Sequence, residues 1–141
     1  MTAGYSRKPL VLKLGIKPGF RLAVINPPTH YAALVAPLPA GVTFHDLQDG
    51  QLDCVHLFVT VYADFAQRLS FAKAQIVPNG MLWVSWPKKA SKMPTDVTED
   101  RIRMLALTTG LVDVKVCAVD TIWSGLKLVI PVAERRYAAR G

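Results

Sequence analysis

Residues 54–86, CVHLFVTVYADFAQRLSFAKAQIVPNGMLWVSW, decide the fold class. Cys54 to Thr60 is an almost unbroken apolar run, the pattern of a strand buried on both faces. Tyr62 to Ile76 carries Phe65, Leu69, Ala72 and Ile76 at spacings of four, three and four, which is one face of a helix. Pro78-Asn79-Gly80 reads as a turn, and Met81 to Trp86 is a second apolar strand stopped by Pro87. Strand, helix, turn and strand in that order predict neighbouring parallel strands with a helix packed across them.

Upstream, residues 8–15 read as a short helix with Pro9 early and Gly15 at its end. Arg21 to Asn26 is a first strand, stopped by Pro27-Pro28, and Thr29 to Val35 is a short helical segment. Gly41 to Leu47 is a further strand candidate. Only Gln48 to Asp53 separate it from the strand at Cys54, whereas a parallel crossover usually takes a dozen or more residues. The segment at 41–47 is therefore a shortened edge strand, an antiparallel strand or no strand. Downstream, Asp96 to Thr109 is a helix in which Asp96 and Glu99 have capping-box spacing. Leu111 to Val119 and Leu126 to Val132 are two final strands, close enough to pair as a hairpin. The expectation is a single Rossmann-like α/β domain over residues 1–132, a mostly parallel sheet with an antiparallel edge strand, followed by a basic tail at 133–141.

Bulk properties agree with one domain. The chain has 141 residues, 51% of them hydrophobic and 19% charged, enough for a core and too little charge for disorder. No apolar stretch approaches the roughly 20 residues of a membrane helix, and nothing at the N-terminus resembles a signal peptide. Cys54 and Cys117 both sit in apolar runs, as reduced thiols of a cytoplasmic protein do. The formal charge of +7 is uneven. Residues 1–21 hold Arg7, Lys8, Lys13, Lys17 and Arg21 without an acid, and residues 22–67 hold no Lys or Arg.

Three stretches resemble class I S-adenosylmethionine-dependent methyltransferases. Leu14-Gly-Ile-Lys-Pro-Gly19 with Arg21–Asn26 is similar to the entry into their first strand. Ile76 to Trp83 is similar to the proline-glycine turn before their fifth. Leu105 to Val119 looks like their last helix and sixth strand. The whole chain also resembles a small bacterial family of proteins of this length that brings no activity with it, through Gly4-Tyr5-Ser6, Trp86 to Ser91, Thr95-Asp96 and Trp123 to Lys127. The methyltransferase resemblance implies a glycine loop after the first strand, where backbone approaches the cofactor closely. This chain has Asn26-Pro27-Pro28-Thr29-His30 there, and proline removes an N–H and fills the space. Asp46 stands at the spacing of the acidic residue expected after the second strand, although an aspartate in a turn is common. No cofactor is therefore expected, and the fold reads as a pared-down methyltransferase.

In open α/β sheets ligands bind beyond the carboxyl ends of the strands. That edge gathers Asn26, Thr29, His30, Thr60, Tyr62, Trp86, Lys88, Lys89, Ser91 and Lys92, with Trp123 over the sheet end. Aromatic walls, hydrogen-bonding groups and ammonium groups suit a phosphorylated or carboxylated small molecule. Three functions follow as expectations: a non-catalytic module binding an anionic small molecule or a protein partner, an enzyme acting on an anionic substrate at the Trp86–Lys92 edge, and a nucleic-acid binder using Lys88, Lys89 and Lys92 beside Trp86. His30, His45, His56 and the cysteines have neither CxxC nor HExxH spacing, so no metal is expected; Cys54 and His56, on one strand face, read as core residues.

Overall fold

The computed structural model describes residues 8–136 and contains one six-stranded sheet. Its elements in chain order are α1 (Leu10–Leu14), β1 (Arg21–Ile25), α2 (Tyr31–Leu34), β2 (Thr43–Phe44), β3 (Leu52–Phe58), α3 (Tyr62–Gln75), β4 (Ile76–Pro87), α4 (Glu99–Thr108), β5 (Val112–Ala118) and β6 (Trp123–Val129). The strand order is β2-β1-β3-β4-β6-β5. The first four are parallel; β6 is antiparallel to β4 and to the edge strand β5. The sheet is thus mostly parallel with an antiparallel hairpin forming one edge.

Alternation along the strands sorts side chains into two cores. Ala23, Val55, Leu57, Leu82, Val84, Leu126 and Leu128 face α3 and α4, whose Phe65, Leu69, Ile102 and Ala106 complete that layer. Leu22, Cys54, Phe58, Met81, Trp83 and Trp123 face the other way, under Leu10, Val11 and Leu14 of α1 and Tyr31 of α2. Burial on both faces explains why β3 and β4 read as continuous apolar runs. Gly4-Tyr5-Ser6, Arg7 and the tail beyond Arg136 lie outside the described residues.

Four boundaries differ from expectation, each for a physical reason. The strand expected at 41–47 is two residues long and parallel to β1, pairing Thr43 with Arg21 and Phe44 with Leu22. Because β2 stops level with the start of β1, the seven residues 45–51, which include a 3₁₀ turn at Leu47–Asp49, suffice to reach β3. The turn expected at Pro78–Gly80 lies inside β4, where Leu52 pairs with Ile76 but Cys54 with Met81, so the extra residues bulge out. Gly80 is required there, since a Cβ would come within 3.1 Å of the Leu52 and Val77 carbonyl oxygens. α4 begins at Glu99 because Thr98, not Asp96, caps it, its Oγ1 accepting from Arg101 N at 3.2 Å. Asp96 instead accepts from Tyr62 N at 2.7 Å, capping α3 from a distance. Finally, Trp123 to Gly125 belong to β6 rather than to the connection before it.

Gly125 faces Trp83. A Cβ there would lie 3.2 Å from Trp83 Cε3 and from Val119 Cγ2, and 3.3 Å from Ser85 Oγ. Gly125→Ala should therefore cost about 1–3 kcal/mol through overpacking. Urea unfolding should show a lower midpoint at unchanged slope; an unchanged midpoint would mean that β6 yields freely at this position.

Candidate functional site

The carboxyl ends of β1, β3 and β4 converge on one edge, and there the predicted site residues separate into three groups. Asn26, directly after β1, adopts a left-handed backbone with φ 55°. It lines a cavity of about 260 Å³ with Phe58, Val59, Thr60, Asp64, Arg68 and Trp123. Trp123 packs edge-on against Phe58, ring centroids 5.1 Å apart. The second group, Trp86, Lys89 and Lys92, lines a larger cavity of about 610 Å³ after β4, with Met93, Pro94, Val97 and the first residues of α4. Trp86 and Val97 are core residues that form its apolar floor. Lys92, with φ 60°, turns the chain towards α4.

The third group holds the edge together. Lys88 donates its backbone N–H to the Ile122 carbonyl at 2.7 Å and its Nζ to the Asp120 carbonyl at 2.8 Å. Ser91 Oγ donates to the Lys88 carbonyl at 2.6 Å and accepts from Met93 N. His30 Nε2 lies 3.0 Å from Asp120 Oδ2. Burial alone would raise the Asp120 carboxyl; the N–H groups of Trp123 and Ile122 and the His30 ring outweigh it and hold it below the usual carboxylate range. Tyr62 lies beneath the Arg101 guanidinium, 3.8 Å from the ring centroid, and Thr60 offers its carbonyl to Thr95 Oγ1 at 2.6 Å. Thr29 is exposed after β1.

Sequence reasoning missed Asp64, Arg68, Asp120, Thr98 and Glu99. Asp64 and Arg68 are four apart on α3 and so share a face, a signal present in the sequence. Asp120 signals only as an aspartate before a turn; its sequence neighbours say nothing of His30 and Lys88, which are 90 and 32 positions away in the chain. Asp46 follows β2 as its spacing suggested, but it caps the 3₁₀ turn reciprocally with Asp49. It also lines an open groove with His45, Gln67, Arg68 and Phe71.

Away from the edge, His56 is fully buried between Tyr31 and Ser85 hydroxyls, Nδ1 at 3.0 Å and Nε2 at 2.6 Å. Burial lowers its pKa to about 3 and raises that of the Cys54 thiol to about 12, so both are neutral core groups. Among the described residues no three His, Cys, Asp or Glu side chains are grouped to hold a metal ion, and no helix is long and apolar enough to cross a membrane.

No protein-family model matches the chain, and no curated protein matches it significantly. Solved structures do. A SAM-dependent methyltransferase from Aquifex aeolicus is 14% identical with a TM-score of 0.61, covering 86% of this chain and 88% of that one. The ribosomal protein L11 methylase from Lactobacillus delbrueckii subsp. bulgaricus is 10% identical with a TM-score of 0.60, covering 86% and 74%. Magnesium protoporphyrin IX methyltransferase from Synechocystis PCC 6803, solved with bound SAM, is 12% identical with a TM-score of 0.54, again covering 86% and 74%. The chain has the Rossmann-like fold of the SAM-dependent methyltransferases.

Proposed function

We propose that this domain is a non-catalytic binding module of methyltransferase-like fold, and that its ligand is a small anionic molecule with an apolar body, held after β4. The observation that carries this reading is the cavity of about 610 Å³ lined by Trp86, Met93 and Val97 together with Lys89, Lys92, Glu99 and Asp100. Its size falls within the roughly 300–1,000 Å³ usual for small-molecule sites. Glu99 is paired with Arg103, so the two ammonium groups exceed the remaining carboxylate, Asp100, and suit a carboxylate or phosphate attached to a flat apolar group.

Methyl transfer is the second reading, favoured by the fold shared with enzymes of that activity, one of them solved with bound SAM. The residues after β1 do not fit that cofactor. Pro27 and Pro28 supply no N–H, the cavity at Asn26 is about 260 Å³, and α2 is a single turn beginning only at Tyr31. Calorimetry separates the readings. With S-adenosylmethionine the expected result is no heat of binding up to millimolar ligand, and micromolar affinity with defined stoichiometry would overturn the proposal. A screen of aromatic carboxylates and phosphates should find binders that lose tenfold or more in affinity in Lys89→Ala/Lys92→Ala. Unchanged affinity in that variant would place the ligand elsewhere.

A further inference from the structure

On the α1 side of the sheet, away from the Trp86 cavity, the fold assembles a cationic surface from two remote parts of the chain. Trp83, Lys127 and Lys115 are register partners across β4, β6 and β5. Residues opposite one another on paired strands share a face, and like charges so placed weaken the pairing. Lys115 Nζ stands 6.0 Å from the Trp83 ring centroid. From the N-terminal stretch, Lys13 of α1 reaches over to donate to the Ala118 carbonyl of β5 at 3.0 Å. Lys17, exposed in the turn after α1, adds a fourth charge felt at Lys127.

Burial lowers the pKa of Lys127 first, and the charges of Lys115 and Lys17 lower it further; Cys54 beside it is a neutral thiol. Two acids of the neighbouring strands β5 and β3 have partners of their own. Asp113 pairs with Arg103 of α4, and Asp53 accepts from Arg21 N at 2.8 Å. Gathering like charges costs folding free energy, and what such a surface complements is an anionic partner.

We propose that Lys13, Lys17, Lys115 and Lys127 form a binding surface for the phosphate backbone of duplex nucleic acid, without base recognition. Lysine ammonium groups are a standard means of contacting phosphates, whereas lysine is depleted from protein–protein interface cores. Trp83, the aromatic residue in the row, is fully buried and offers no platform for stacking unpaired bases. The partner is therefore a duplex gripped by charge. This goes beyond the small-molecule reading and uses no residue of that cavity.

The test is fluorescence polarisation of a labelled 20-base-pair duplex with the full chain between 50 and 200 mM salt. Neutralising about four phosphates predicts a log–log salt slope of about −3 to −4. Lys115→Gln/Lys127→Gln should weaken binding at least tenfold at low salt and reduce the slope by about two. Because it relieves repulsion, this variant should melt no lower than the parent. Lys17→Gln, at an exposed turn, gives an independent loss of about one in slope should the double variant fold poorly. No binding at 50 mM salt, a flat salt response, or unchanged binding in these variants overturns the proposal. Tighter binding of poly-glutamate than of the duplex overturns it in favour of an acidic protein partner.

Discussion

Acidification from pH 6.5 to pH 3 should destabilise this protein steeply through His56. Its folded pKa of about 3 lies below the ordinary histidine value of 6.5, because the ring is fully buried. Above pH 6.5 the ring is neutral in both states, and the tilt vanishes. Between 6.5 and 3 the unfolded chain binds a proton that the folded one excludes. Stability therefore falls by about 1.4 kcal/mol per pH unit, for a total of about 5 kcal/mol. That is a large share of a net stability of about 5–15 kcal/mol. Urea titrations at pH 7, 6, 5 and 4 should trace this slope. In His56→Leu the slope between pH 6.5 and 4.5 should largely disappear. The variant should also be weaker at pH 7 by about 1–3 kcal/mol for each hydroxyl, Tyr31 and Ser85, left without its partner in the core. A variant as stable as the parent, or one retaining the slope, would place the acid sensitivity in other groups.

Trp83→Ala should produce the largest loss of any single truncation, about 3–5 kcal/mol at neutral pH. Trp83 is the largest fully buried side chain, at the centre of the core beneath α1. It also acts as a tether. Its Nε1–H donates to the Leu14 carbonyl at 2.9 Å, satisfying an acceptor at the last turn of a helix only five residues long. Trp83→Phe separates the two contributions: most apolar area remains, the hydrogen bond is lost, and a cost of about 1–3 kcal/mol is expected. Hydrogen exchange should then rise in residues 10–16 and stay unchanged in α3. Equal loosening of both sheet faces in Trp83→Phe would show that the Leu14 bond is not what holds α1.

The residues that mark the strands and those that make the site differ in how far sequence alone reveals them. β3, α3 and β4 were legible because burial on two faces, or on one helical stripe, leaves a local apolar pattern. The 41–47 segment was not, since its two pairing residues are exposed and its direction depends on where β1 begins. Likewise Asp96 and Glu99 have capping-box spacing, yet Asp96 caps a different helix, because the fold brings the unpaired N–H of Tyr62, 34 positions away, against its carboxylate. The edge residues were legible as a set, from the rule that strand carboxyl ends face the crevice. Their division into a cavity after β4, a smaller one after β1 and a structural group around Asp120 was not.

By itself the sequence determined the α/β class, the mostly parallel sheet with its antiparallel edge and the proline-filled exit of β1. Each follows from a local signal: apolar periodicity, the short connection between the last two strands and the missing N–H of proline. Tertiary structure alone decided that Lys13 reaches the Ala118 carbonyl of β5, that Lys115 and Lys127 face one another across β5 and β6, that Lys88 donates to the Asp120 carbonyl, and that His56 is sealed between two hydroxyls. Those arrangements depend on strand order and register, which join residues up to 105 positions apart, and no local pattern encodes a distance of that kind.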